Sequence, residues 1–129
     1  MSKDTLSSSL NSIRVAESKG QREVSLRPAS KLVREVLAIF QQQGYVGDYE
    51  FVDDGKSGTF RVKLLGRINK CGSVRPRIAA KAKDWERWEE RYLPSREVGL
   101  LVVSTSKGLV AHAQAKREKT GGRLLAFCY

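Results

Sequence analysis

The chain has 129 residues, enough for one compact domain or two small lobes. Because 40% of them are hydrophobic, a fully disordered chain is excluded. The mean hydropathy is −0.42, and the sequence has no apolar run of about 18 residues, so no membrane-spanning helix is expected. Lys and Arg number 24 against 14 Asp and Glu, and this excess of +10 makes a polyanion the expected partner.

The N-terminal residues Met1–Asp4 are polar, so we predict no signal peptide and a cytoplasmic protein. In that compartment Cys71 and Cys128 are expected to be reduced thiols. A structural zinc site needs more ligands than these two thiols supply, so no metal is expected.

The positive charge is concentrated in the second half of the chain. Met1–Gly66 holds 10 basic and 8 acidic residues, whereas Arg67–Tyr129 holds 14 basic and 6 acidic ones. An excess confined to one half favours an anion-binding face there over a generally charged surface.

The first half predicts a helix, a strand, a second helix and two paired strands. The first helix carries Leu6, Leu10 and Ile13 at helical spacing behind the N-cap Asp4, and Gly20 ends it. The following elements are a strand over Glu23–Leu26, a helix capped by Ser30 and stopped by Gly44, and strands over Tyr45–Val52 and Thr59–Leu65.

The second half predicts short strands, two short helices and one buried strand. Trp85 and Trp88 lie on one face of a predicted helix, Asp84–Tyr92, and are expected to cover the core more than to stack on bases. The continuous apolar run Leu100–Val103 suits a strand buried on both faces. The other predicted elements are strands over Arg67–Cys71 and Arg77–Ala80 around a Gly72–Pro76 loop, a Ser104–Gly108 loop, a helix over Val110–Lys119 and a strand over Leu124–Tyr129.

These elements together predict an α+β fold in two lobes. Residues 1–66 form an N-terminal α/β lobe of helix, strand, helix, strand and strand. Residues 67–129 form a mainly β lobe with one or two short helices, and the positive charge assigns nucleic-acid binding to it.

The sequence contains no recognisable catalytic set. His112 is the only histidine, and no Ser, Cys or carboxylate stands at a spacing that general-base or nucleophilic catalysis needs. We interpret it as a surface group near a helix cap. No catalytic residue, cofactor or small-molecule substrate is therefore expected.

Two interpretations remain open for the small and hydroxyl residues near the C-terminus. In the segment Ser104, Thr105, Ser106, Lys107 and Gly108, small hydroxyls can approach a base edge or a sugar, and the lysine can meet a phosphate. Alternatively, the segment is a strand-to-helix turn in which Ser106 caps the next helix.

The same choice applies to two further segments. Gly121 and Gly122 are either a helix C-cap or a point where a ligand approaches the backbone. The basic, stiffened stretch Arg75, Pro76 and Arg77 favours phosphate contact over mere solvation because the whole half is basic.

The order of these motifs resembles the eighth small-subunit ribosomal protein family from about Asp4 to Tyr129. The strongest marker is Ser104–Gly108 after an apolar strand, followed by a short helix, Gly121-Gly122 and a terminal strand that ends in aromatics. The stretches Asn69–Gly72 and Leu93–Arg96 resemble the archaeal and eukaryotic branch. Supporting pieces are Ser12-Ile13-Arg14, Arg27–Lys31, Gly44-Tyr45, Gly66–Gly72 and Arg75–Arg77.

The resemblance implies a structural protein that binds the central domain of small-subunit ribosomal RNA early in assembly and lies beside other ribosomal proteins. By this resemblance the RNA contacts are Ser104–Gly108, Gly121-Gly122 and Arg75–Arg77. The chain departs from relatives at Ala111-His112, which affects the helix cap. It departs again at Arg123, where bacterial relatives have an acid, so the charge at any RNA contact there is expected to be opposite.

Three other interpretations compete with this one. A nucleic-acid-modifying enzyme would use the same basic face but needs a catalytic set. A protein-interaction module would bind a partner through the aromatic helix. A binder of another structured RNA would use the basic face outside the ribosome.

Overall fold

The computed structural model describes residues 5–27, 29–53, 55, 58–74, 79–81, 83–94 and 98–129, and for Thr5 the backbone alone. The chain divides into two compact units, Met1–Cys71 and Gly72–Tyr129. Every helix in the described ranges is too short or too polar to cross a lipid bilayer. The α+β class predicted from the sequence is confirmed.

The first unit has the predicted order of helix, strand, helix, strand and strand. Its three strands form an antiparallel sheet in the order β1-β3-β2, with Leu26 of β1 and Phe51 of β2 both paired with Phe60 of β3. The elements are α1 (Thr5–Ser18), β1 (Glu23–Leu26), α2 (Lys31–Gln42), β2 (Val46–Val52) and β3 (Thr59–Leu64).

Local signals in the sequence set the ends of the first two helices. The hydroxyl of Ser30 accepts a hydrogen bond from the backbone N–H of Val33 at 3.2 Å, as predicted for an N-cap. Gly20 and Gly44 end the helices with φ of 71° and 80°, and the residue after each donates to a carbonyl five positions back. The predicted N-cap Asp4 lies outside the described residues.

The apolar stripes of the two helices build the core of the first unit. Leu6, Leu10 and Ile13 of α1 are at most 1% exposed. The buried partners are Val33, Val36, Leu37 and Phe40 of α2 and Leu26, Phe60 and Val62 of the sheet.

The second unit is built on one five-stranded sheet with two short helices. Its strand order is β4-β8-β6-β7, and β5 also pairs with β8. The elements are β4 (Cys71–Ser73), β5 (Ala79–Ala80), α3 (Trp85–Tyr92), β6 (Leu100–Thr105), β7 (Gly108–Ala111), α4 (His112–Arg117) and β8 (Gly122–Cys128).

The core of the second unit confirms the predicted buried strand and the structural role of the tryptophans. Leu100–Val103 are at most 2% exposed, and Trp85 and Trp88 are 1% and 8% exposed. Leu101, Val103, Leu124 and Ala115 complete a single cluster around the indoles.

Three predicted elements of the second half are wrong in whole or in part. Residues 67–70 form no strand, because the backbone N–H of Ile68 donates to the carboxylate of Glu17 at 3.1 Å instead of joining a ladder. The first two residues of the loop predicted over Gly72–Pro76 belong instead to the strand β4, which ends at Ser73. The helix predicted over Val110–Lys119 is limited to α4, because the preceding residues pair with β6.

The division of the chain changes the charge balance between the halves. Arg67 and Lys70 precede the division at Cys71, so the second unit holds 12 basic and 6 acidic residues and the first holds 12 basic and 8 acidic ones. Both units therefore carry a positive excess, and that of the second remains larger.

Candidate nucleic-acid interface

The segment predicted as a loop from Ser104 to Gly108 is a tight β-hairpin. Thr105 pairs with Gly108 across β6 and β7, so only Ser106 and Lys107 form the turn, and both are exposed. The alternative in which Ser106 caps the next helix is wrong, since the whole of β7 lies between that serine and α4.

The hydroxyl of Thr105 organises the tip of this hairpin. Its Oγ1 donates to the carbonyl of Gly108 at 2.9 Å and accepts from the backbone N–H of Lys107 at 3.1 Å. Gly108 has φ of 116°, a conformation that residues with a Cβ rarely adopt, and nothing lies within 4 Å of the place where a Cβ would stand. The tip is therefore a defined turn, and its backbone requires glycine although space around it is open.

The sheet brings two sequence-predicted residues onto one face. Ser104 of β6 is the register partner of Arg123 of β8, and Arg123 pairs in turn with Ala79 of β5. Side chains at directly paired positions of antiparallel strands stand on the same face. A half-buried hydroxyl and an exposed guanidinium are thus neighbours at the base of the hairpin.

The double glycine has a structural explanation at its second position. A Cβ on Gly122 would lie 2.4 Å from the carbonyl oxygen of Ser104 and 2.7 Å from Cγ1 of Val103. Glycine is required there because β8 approaches β6 too closely for any side chain.

The interpretation of Gly121 and Gly122 as a helix C-cap is wrong. The helix α4 ends in a Schellman motif in which Lys119, with φ of 55°, takes the left-handed position. The backbone N–H of Lys119 donates to Lys116, and that of Thr120 donates to Ala115.

A tryptophan holds the segment between α4 and β8 in place. The indole Nε1 of Trp85 donates to the carbonyl of Thr120 at 3.1 Å. This bond satisfies a fully buried indole and fixes the chain directly before the double glycine.

The remaining predicted contacts, Arg75, Pro76 and Arg77, lie outside the described residues. Ala79 follows them by two positions in the sequence and pairs with Arg123.

A buried polar cluster under α4 escaped the sequence analysis. His112, predicted to be a surface group, is 5% exposed, so that prediction is wrong. Its Nδ1 accepts the backbone N–H of Leu101 at 3.0 Å, and its Nε2 lies 3.4 Å from Oε1 of Glu89. Lys116 donates to the same carboxylate oxygen at 2.7 Å.

Burial dominates the electrostatics of this histidine. It lowers the pKa of His112 below the ordinary value of 6.5, and Lys116 acts in the same direction, whereas the carboxylate of Glu89 opposes both. The imidazole is therefore neutral, with its proton on Nε2. It supports the sheet and is not exposed to a substrate.

The thiol of Cys71 is buried and poorly reactive. Burial raises the pKa of Cys71 to about 12, and its Sγ donates to the carbonyl of Leu10 at 3.3 Å. Within the described ranges, no three His, Cys, Asp or Glu side chains are grouped so that they could hold a metal ion.

The hairpin presents hydrogen-bonding groups and positive charge to solvent. The exposed Ser106 and Lys107, with Ser104 and Arg123 at the base, supply hydroxyl donors and acceptors and two cations. Such groups suit phosphates, sugars and base edges.

Comparison with protein families identifies the family. The model of a family described as ribosomal protein S8 matches residues 4–129, which is almost the entire chain. Members of this family are structural proteins of the small ribosomal subunit that bind ribosomal RNA. The chain therefore belongs to the ribosomal protein S8 family.

Proposed function

We propose that the protein is a primary binder of the central domain of small-subunit ribosomal RNA, whose shape it stabilises during assembly of cytoplasmic ribosomes. Asn69–Gly72 and Leu93–Arg96 support placing it in the archaeal and eukaryotic branch of its family. The single observation that carries the RNA site is the pairing of Ser104 with Arg123 at the base of an exposed two-residue turn.

The mechanism is recognition of RNA shape without chemical change. Ser106 adds little bulk above the backbone of the turn, and Lys107 adds an exposed cation. The tip therefore fits a widened minor groove or an internal loop. Thr105 already uses its hydroxyl to hold the turn, and its contribution is to keep the tip preorganised.

The other site residues extend this contact. Arg75 and Arg77 meet phosphates around the stiff Pro76, and Arg123 adds a cation beside Ser104. Gly121 and Gly122 keep the backbone free of side chains next to the hairpin.

The two parts of the chain have different main roles in this proposal. Residues 67–129 form the RNA-binding lobe, and residues 1–66 contact neighbouring ribosomal proteins.

Binding of the full chain to a folded transcript of the central domain tests the proposal. If about six phosphates are contacted, affinity should fall roughly 10³-fold between about 50 and 200 mM salt. The variant Ser106→Tyr should weaken binding to this transcript much more than binding to an unrelated duplex, since the added ring blocks the close approach of the tip.

Gln42→Tyr serves as the matched control because it adds the same ring to an exposed helical position of the first unit. A flat salt response, or equal losses on both RNAs for Ser106→Tyr, contradicts the proposed site. Turnover of any nucleic acid contradicts the proposed function, and so does capture of a protein from outside the ribosome that survives high salt and nuclease.

A further inference from the structure

A second surface, in the first unit, combines an exposed aromatic ring with two cations. It is a groove of about 610 Å³ between the first turn of α2 and the ends of β2 and β3. We call it the Phe51 groove. Its described lining residues are Ala29, Ser30, Lys31, Arg34, Tyr49, Phe51 and Phe60.

Phe51 is unusually exposed for a phenylalanine. It is 58% exposed, more than any other large hydrophobic residue in the described ranges, although its strand partner Phe60 is 4% exposed. An aromatic ring of this size stabilises the fold only when it is covered, so leaving it in water forgoes most of that gain.

The exposed ring nevertheless packs against neighbours on one side. It meets Phe60 edge-on, with ring centroids 6.1 Å apart and planes at 70°, and Tyr49 packs on the same ring of Phe60 from 6.3 Å. Gly58 lies directly beneath it, because a Cβ there would stand 2.3 Å from Cε1 of Phe51. The result is an aromatic platform that is supported from one side and exposed on the other.

The charge of the groove is positive. Lys31 and Arg34 are exposed and form no ion pair within the part of the chain that the structure describes. No acidic residue stands among the described lining residues. The nearest acid on β2, Glu50, alternates onto the opposite face, where Arg61 contacts it at 3.4 Å.

We infer that the Phe51 groove binds an unpaired nucleotide of the RNA, with its base stacked on Phe51 and its flanking phosphates at Lys31 and Arg34. Single-stranded nucleic acid supplies a planar ring and an anion at every residue, which is the combination this groove presents. The inference rests on the proposed function in so far as the same RNA occupies both sites.

A protein segment fits this groove less well. An apolar segment would desolvate two cations without a partner, which is unfavourable. An acidic segment that adds to the open edge of β2 would run beside Asp48 and Glu50, which are both exposed. RNA avoids both penalties because its negative charges and its apolar faces alternate.

The test uses the full chain and intact, deproteinised small-subunit ribosomal RNA. Phe51→Leu keeps an apolar side chain but removes the ring, and should weaken binding roughly tenfold. Lys31→Gln combined with Arg34→Gln should reduce the slope of log affinity against log salt by about 1.4, since each single-strand phosphate contributes about 0.7. Unfolding curves of each variant show whether the fold is kept.

Matched controls come from the same unit. Leu65→Ala changes another exposed apolar residue, and Arg14→Gln combined with Lys19→Gln removes two exposed charges from α1 and the turn that follows it. Both controls should leave affinity and salt slope unchanged. Equal effects of the control and groove variants would overturn the inference, as would no effect of the groove variants.

Chemical probing of the bound RNA separates this inference from the proposed hairpin site. Phe51→Leu should expose one or a few unpaired nucleotides that Ser106→Tyr leaves protected. If Ser106→Tyr has no effect while Phe51→Leu does, the hairpin proposal fails and the groove stands. If the groove variants lose association only with subunits that contain protein and keep full affinity for bare RNA, a protein occupies the groove and the inference is wrong.

Discussion

His112 takes the place of a strand residue at the end of the β6–β7 ladder. The last backbone pair joins Val102 to Ala111, and the next position on β6, Leu101, donates its N–H to Nδ1 of His112 at 3.0 Å. The chain thus turns into α4 without leaving a buried N–H unsatisfied, because a side chain continues the ladder where the backbone departs.

Removing this acceptor should destabilise the second unit. His112→Ala leaves the N–H of Leu101 buried without a partner and creates a cavity, and should lower the free energy of unfolding by roughly 2–4 kcal/mol. His112→Asn offers Oδ1 near the position of Nδ1 and should recover about 1 kcal/mol of that loss. Urea unfolding of both variants measures the difference, and equal stability of Asn and Ala variants would show that the hydrogen bond contributes nothing.

The same histidine predicts loss of stability in mild acid. Burial lowers the pKa of His112 in the folded state, so the unfolded chain binds a proton more readily, and stability falls as the pH decreases through 6.5 towards the lower folded value. His112 is the only histidine, so this window is free of other imidazoles. Stability measured from about pH 7 to 5 should slope downwards in the wild type and flatten in His112→Asn. An unchanged slope would assign the acid sensitivity to other groups.

Elements whose determining residues lie close together in the sequence were predicted, and those that depend on distant partners were not. The helix α2 was predicted from Ser30 to Gly44 because its cap, its apolar stripe and its C-terminal glycine are all local. In the hairpin strand β7, Gly108 was predicted as loop and Val110 and Ala111 as helix, because these residues favour a strand only through pairing with β6, which sequence periodicity does not contain.

The residues of the candidate site were proposed from the sequence, but their spatial arrangement could not be predicted from it. The row of small hydroxyls pointed to Ser104–Gly108, yet its proximity to Arg123 depends on a register between strands almost twenty positions apart. His112 was misplaced for the same reason, since its partners on α3 and β6 are distant in the sequence. The exposure of Phe51 could not be predicted either. Alternation along β2 places Phe51 on the same face as Tyr49, which is half-buried.

The ion pair under α4 predicts an asymmetric response to single substitutions. Glu89 is 2% exposed and receives Lys116 at 2.7 Å, while its Oε2 has no hydrogen-bond partner within the described ranges. Lys116→Met leaves a buried carboxylate without its cation and should cost roughly 1–3 kcal/mol, a range reduced because the lysine is 39% exposed. Glu89→Gln should cost less, because no buried charge remains.

The double variant Glu89→Gln with Lys116→Met provides the control for this pair. It should be more stable than Lys116→Met alone, since removing the carboxylate relieves the unpaired charge. Additive losses in a double-mutant cycle measured by chemical denaturation would show that the two side chains do not interact.

The close approach of β8 to β6 predicts that Gly122 tolerates no side chain. Gly122→Ala would place a Cβ 2.4 Å from the carbonyl oxygen of Ser104, so the strands must separate, at a cost of roughly 1–3 kcal/mol. The adjacent Arg123→Ala is the control, because this exposed position should change stability by no more than about 0.5 kcal/mol while weakening RNA binding. Thermal unfolding distinguishes the two, and a fully stable Gly122→Ala variant would mean that the sheet adjusts without strain.

The end of α4 predicts a stabilising substitution. Lys119 is the only non-glycine residue with positive φ in the described ranges, and it occupies the position that Gly20 and Gly44 hold at the ends of α1 and α2. A left-handed conformation is unfavourable for residues with a Cβ, so Lys119→Gly should raise the free energy of unfolding by roughly 1 kcal/mol. Lys119→Ala removes the same charge but keeps the Cβ, and therefore should not stabilise the protein. Chemical denaturation of both variants at one salt concentration measures this difference. Equal stability of the two would attribute any change to the lost charge and not to the backbone.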